Sequence, residues 1–204
     1  MRLLMIMLFI VNLFATNRAL YIKKYKNENK VALVIGNCNY SSFAKLKNSC
    51  NDAKDIGYNL QNLGFKVYFL KNGSKKEMKQ KIKTFTNALK NGGVGMFYYA
   101  GHGIEVDNKN YLIPLNADIS EKPDVEDEAV SVNWIINRME YANNRLNIVV
   151  LDACRNNPFG RGGGGGLAPI NDAKGMYIAF ATAPGKTASD GSGRNGLFTK
   201  YLIK

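Results

Sequence analysis

Residues 30–36 read KVALVIG and residues 66–70 read KVYFL, and between them Asn51–Leu63 repeats its apolar side chains with a helical period. Ala53, Ile56, Leu60 and Leu63 mark the apolar face of that helix. Two short apolar runs joined by an amphipathic helix form a β–α–β unit, a connection that sets its strands parallel. The pattern repeats down the chain. Ser74-x-x-Glu77 reads as a capping box opening a helix to about Leu89, with Met78, Ile82, Phe85 and Leu89 on one side. Val94–Ala100 (VGMFYYA) is a third strand, and Tyr111–Pro114 a short β element beyond it. Ser131 caps a helix through Trp134, Ile135, Met139 and Tyr141. Arg145–Leu151 (RLNIVVL) and Met176–Ala181 (MYIAFA) are the fourth and fifth strands, and Gly196 opens a last helix. The alternation predicts an α/β fold with a mostly parallel central sheet flanked by helices. No strand follows the last helix, so the C-terminus reads as truncated.

At 204 residues the chain suits one domain with a sizeable core, and its 46% apolar and 22% charged content is that of a globular protein, so disorder is not the default expectation. The formal charge is +12, yet the lysines spread over Lys23–Lys30, Lys71–Lys83 and Lys186–Lys204 without gathering into a binding motif. They read as solvated faces, and no nucleic-acid partner is expected. Met1-Arg2 followed by an apolar run from Leu3 to Ala15, broken only by Asn12, is too short to span a bilayer and fits a signal-peptide core. Residues 1–19 are therefore expected to be a signal peptide, with Ala15 and Ala19 as cleavage positions, or else an uncleaved anchor. Export to a periplasm or the exterior follows, with no membrane span once the leader is gone. Losing Arg2 and Arg18 with it lowers the charge to +10. The folded domain is placed at residues 28–204.

Three cysteines without a C-x-x-C argue against a disulfide scaffold and against a zinc ribbon. Cys38 and Cys50 pair if the protein is exported, or sit as small buried hydrophobes, which is the plainer reading. A single histidine, His102, excludes His-rich metal sites. Between the fourth and fifth strands, Gly160-Arg161-Gly162 continues in glycine to Gly166; this reads as a mobile loop, and no Gly-Lys-Ser/Thr follows to make it a phosphate cradle.

In open parallel sheets, sites form beyond the carboxyl ends of the strands. His102, in Ala100-Gly101-His102-Gly103, is expected just after the third strand. Cys154, in Leu151-Asp152-Ala153-Cys154-Arg155-Asn156, is expected just after the fourth. Adjacent strands would bring the two together as base and nucleophile. The flanking glycines would leave room for substrate backbone, and the N–H groups of Gly103 and Cys154 would stabilise an oxyanion.

The segments YYAGHG (98–103) and LDACRN (151–156) resemble the His and Cys motifs of the caspase-like peptidases of family C14. The subgroup resembled is the paracaspases, the metacaspases and their bacterial relatives, the orthocaspases. ALVIGN (32–37), Leu46-Lys47-Asn48, Asn51-Asp52-Ala53 and ATAPG (181–185) support it, and the likeness runs over about residues 30–204. Caspases carry Gln-Ala-Cys with the His about 50 residues upstream; here the interval is 52, but Asp152 stands where they have Gln. By the same resemblance Asp52, Asp152 and Asp190 would line the primary specificity pocket. Three acids imply a cysteine endopeptidase that cuts protein or peptide substrates after Arg or Lys, since carboxylates receive a basic side chain. The alternative is a catalytically silent caspase-like scaffold; a serine esterase would need a Gly-x-Ser-x-Gly elbow that is missing. No cofactor or metal is expected, although metacaspases often need calcium. The acids Asp118, Asp124, Glu126, Asp127 and Glu128 lack ligand spacing and read as a solvated loop. Self-processing is expected after Arg161 or Lys174, which flank the glycine run.

Overall fold

The computed structural model describes residues 28–90, 92–155, 167–170, 175–181 and 193–204. Seven strands and five helices are described: β1 (Lys30–Gly36), α1 (Ser49–Asn62), β2 (Lys66–Lys71), α2 (Lys75–Leu89), β3 (Val94–Val106), β4 (Lys109–Leu112), α3 (Asp124–Glu128), β5 (Val130–Ser131), α4 (Val132–Tyr141), β6 (Leu146–Arg155), β7 (Met176–Phe180) and α5 (Leu197–Leu202). Strands β2, β1, β3, β6 and β7 lie side by side and parallel. β4 runs antiparallel to the end of β3, and β5 to β4. The expected α/β architecture is the one observed.

Local chemistry accounts for most element boundaries. Ser74 and Glu77 form the capping box, each side chain meeting the other's backbone N–H, so α2 starts where two orphan donors are satisfied. Ser131 accepts from the Trp134 N–H and opens α4. Gly36 ends β1 against α1: a Cβ there would lie 2.6 Å from that of Ala53, so only glycine lets strand and helix approach this closely.

Two apolar layers cover the sheet. Leu33, Ile35, Phe97, Tyr99, Val149 and Leu151 face α2 and α4. Ala32, Val34, Tyr98, Ala100 and Val150 face α1, with Phe198 of α5 packed on them. Residues 98 and 100 of β3 and residue 150 of β6 therefore share the α1 side, as strand alternation requires.

Two strands are longer than their apolar runs. β3 continues six residues beyond Ala100 because Asp107 and Asn108, at φ 51° and 59°, make a two-residue turn that folds β4 back on it. Positive φ at both central positions is the mark of a type I′ hairpin. β6 in turn pairs with β3 as far as Gly103–Arg155. His102 and Cys154 thus lie within strands, not after them. The 118–128 segment, expected as an open loop, closes into α3, and α3 leads into β5.

Candidate active site

His102 is buried, at 7% exposure, and held on every side. Its Nε2 lies 2.7 Å from the carbonyl oxygen of Ala44. A carbonyl only accepts, so Nε2 carries the proton and Nδ1 is the basic nitrogen of the neutral ring. The His102 N–H donates to the Tyr40 hydroxyl at 3.0 Å, while its C=O accepts from the Tyr99 hydroxyl at 2.9 Å and from the Ile113 N–H at 3.0 Å. The rings of Tyr40 and Phe43 pack against the imidazole, with centroids 4.7 and 5.8 Å away. The loop between β1 and α1 therefore sets both the tautomer and the tilt of the histidine.

That loop is stapled. Cys38 and Cys50 form a disulfide with Cα atoms 5.6 Å apart, and the Leu46 N–H closes back onto the Cys38 C=O at 3.0 Å. The reading of these cysteines as small buried hydrophobes does not hold. Pairing depends on Cα separation, which the strand-to-helix turn supplies and chain spacing does not reveal.

Cys154 stands opposite His102 in the parallel β3–β6 register. Gly103 faces Leu112 across the hairpin, and the bond from Ile113 N–H to His102 C=O makes this the open kind of antiparallel pair. The Gly103 N–H is consequently turned away from β4 and toward β6, with which Gly103 pairs opposite Arg155. Gly101 serves another purpose than substrate room: a Cβ there would fall 2.5 Å from the Tyr99 hydroxyl and 2.7 Å from that of Tyr40. It is glycine so that the two phenols can hold the histidine backbone.

Asp52 and Asp152 are brought into one neighbourhood. Asp52, in the first turn of α1 and 3% exposed, accepts the Gly196 N–H at 3.0 and 3.2 Å on its two oxygens. Burial, reinforced by the charge of Asp152, pushes its pKa up to about 6 against the bonds from Asn195 and Gly196. Asp152 stands opposite Ala100, two residues before Cys154 in β6. Its Oδ2 accepts from Thr199 Oγ1 at 2.7 Å and from the Tyr98 hydroxyl at 3.1 Å. Burial and then the Asp152 charge raise the Tyr98 phenol well above its ordinary pKa, so it stays a donor. Asp190, Arg161 and Lys174 lie outside the described residues.

Sequence reading missed Tyr40, Phe43, Ala44, Tyr98 and Thr199. Only Tyr98 adjoined a motif, as the first residue of YYAGHG; the others have no local signature. It also missed how the start of α5 is fastened. Arg194 makes two 2.9 Å bonds to Asp55, and Asn195 adds a third at 2.9 Å. The guanidinium holds the Asp55 carboxyl below its usual range.

In the acidic stretch, Asp124 accepts the N–H groups of Ser120 and Glu121 at 3.0 and 2.7 Å, so it serves the turn that opens α3. Among the described residues no three His, Cys, Asp or Glu side chains converge as a metal site. Nor, among them, is any helix long and apolar enough to cross a membrane.

The sequence profile of the caspase domain, Peptidase_C14, matches residues 29–204. The chain belongs to the caspase domain family. Mucosa-associated lymphoid tissue lymphoma translocation protein 1 of Homo sapiens is 33% identical to this caspase domain over 182 residues, 86% of this chain and 21% of that protein. Its Mus musculus homolog is 32% identical over the same shares. The chain thus spans about a fifth of the length of the curated relatives it matches. The crystal structure of the Drosophila initiator caspase Dronc aligns with a TM-score of 0.59 over 88% of this chain and 65% of that one. At 13% identity this likeness speaks to the fold alone.

Proposed function

We propose that this caspase domain is a cysteine endopeptidase that cuts protein substrates after Arg or Lys. The observation that carries the chemistry is the register pair of His102 and Cys154, with His102 Nε2 already committed to the Ala44 carbonyl. In the reaction, the Cys154 thiol gives its proton to His102 Nδ1 and the thiolate attacks the carbonyl carbon of the scissile residue. Negative charge forms on the carbonyl oxygen; by resemblance the N–H groups of Gly103 and Cys154 would receive it, once substrate entry parts the end of the β3–β6 ladder that now pairs them. The C–N bond then breaks, and the leaving amine takes the proton from His102. A water deprotonated by the same nitrogen hydrolyses the thioester and releases the acid product.

The basic preference rests on Asp52 and Asp152, which the fold places on the side of the sheet that carries α1, with Asp190 as the third acid by resemblance. The net charge of the chain, +12 in full and +10 without residues 1–19, gives no long-range attraction for a basic substrate, so capture falls to these local carboxylates. Chromogenic peptides ending in Arg, Lys or Asp test the reading. Cleavage of the basic peptides is expected, lost by about a thousandfold or more in Cys154→Ala and in His102→Ala. Activity retained by either variant sinks the dyad, cleavage after Asp sinks the pocket, and no cleavage by the wild type favours the silent scaffold.

A further inference from the structure

Two hydroxyls from distant parts of the chain meet at the Asp152 carboxylate. Thr199 Oγ1 and the Tyr98 hydroxyl lie 2.6 Å apart, and both reach the same carboxylate oxygen, Oδ2, at 2.7 and 3.1 Å. Tyr98 comes from β3 and Thr199 from α5, and both are fully buried. They sit in an otherwise apolar layer with Ala100, Val150 and Phe198. Phe and Val would fill the same volume there without two hydroxyls to desolvate. A helical Thr ordinarily turns its hydroxyl onto a carbonyl of its own helix; this one bonds a carboxylate on the sheet. Its place is firm, because the start of α5 is clamped to α1 by the Arg194 and Asn195 bonds to Asp55 and the Gly196 bond to Asp52.

We propose that Tyr98 and Thr199 are specificity-determining positioning residues, whose hydroxyls fix the plane of the Asp152 carboxylate so that it selects arginine over lysine at the scissile residue. The inference rests on the reading of Asp152 as a wall of a basic pocket and adds the residues that set its geometry. A guanidinium is a flat fork that pairs well only with a carboxylate held in one orientation, whereas an ammonium is a point charge that accepts many. Two hydroxyls on one oxygen stop the carboxylate from turning about its Cβ–Cγ bond.

The test uses two peptides identical except for Arg or Lys at the cut, with wild type, Thr199→Val, Tyr98→Phe and the conservative Thr199→Ser. In Thr199→Val, KM for the Arg peptide should rise about tenfold, the scale of one lost hydrogen bond to a charge, with kcat within about twofold. The Lys peptide should lose about threefold or less, so the Arg-to-Lys ratio in kcat/KM falls, and Thr199→Ser should restore it. Binding of agmatine, a free guanidinium, should weaken in step, while cadaverine, an amine of similar length, holds. Equal losses on both peptides, a fall in kcat alone, or an unchanged ratio would overturn the proposal while leaving the basic pocket intact. Wild type that cleaves neither peptide overturns the pocket and this inference with it. Should Thr199→Val lose its cooperative melt, Tyr98→Phe decides by the same ratio.

Discussion

Replacing Asp52 with asparagine should stabilise this caspase domain and disable it at once. The Asp52 carboxyl is buried beside Asp152, and its pKa of about 6 stands roughly two units above the ordinary 3.8. Each unit is 1.36 kcal/mol, so ionising Asp52 in the native state costs about 3 kcal/mol more than in the unfolded chain. The sign follows from proton binding. Between pH 3.8 and about 6 the native state holds a proton that the unfolded state has released, so stability declines as pH rises through that window. Asparagine keeps the shape, and its Oδ1 can still accept the Gly196 N–H. Urea denaturation of both proteins from pH 4 to pH 8 should therefore show the variant gaining on the wild type by about 3 kcal/mol, almost all of it between pH 4 and pH 7. Over the same change, kcat/KM for an Arg peptide should drop by tens- to a thousandfold, since a neutral amide leaves the substrate cation short of a partner. A stability difference that does not vary with pH would refute the reasoning, because it would mean that the Gly196 and Asn195 bonds compensate the buried charge in full.

Three further outcomes are expected. Replacing Cys38 and Cys50 together by serine should lower stability by about 3 kcal/mol under oxidising conditions and change nothing under strong reductant, as thermal melts with and without dithiothreitol would show; equal melts would mean that the bridge does not form. Wild type should cut itself after Arg161 or Lys174 and Cys154→Ala should not, read as new termini by mass spectrometry; intact, active wild type would rule this out. Residues 1–19 fused to a reporter in a Gram-negative host should carry it out of the cytoplasm with the leader removed, a compartment that also suits the Cys38–Cys50 disulfide; intact leader on cytosolic reporter would count against export.

What local chemistry governs was legible in the amino-acid sequence. β1 is KVALVIG with the bounds its apolar run implies, α2 begins at its capping box, and the helical faces of α1 and α2 turn inward as their periods require. That His102 and Cys154 would be neighbours was legible too, because their motifs follow apolar runs that an α/β sheet sets side by side and parallel. Other features needed the folded chain. β3 runs past His102 because a hairpin turn gives it a partner, although its apolar run ends at Ala100. Cys38 meets Cys50 because β1 and α1 pack at Gly36, and the tautomer of His102 follows from a carbonyl 58 residues away. Asp52 reads in sequence, by resemblance, as an acid of the specificity pocket, yet it is the packing of α5 and β6 around it that raises its proton affinity. Thr199 carries no motif at all, and it gains its role from a carboxylate 47 positions earlier in the chain. Periodicity and capping act over a few residues and so are written in order along the chain. Desolvation, like-charge proximity and the orientation of a buried side chain depend on which distant segments close over it, and only the tertiary structure decides that.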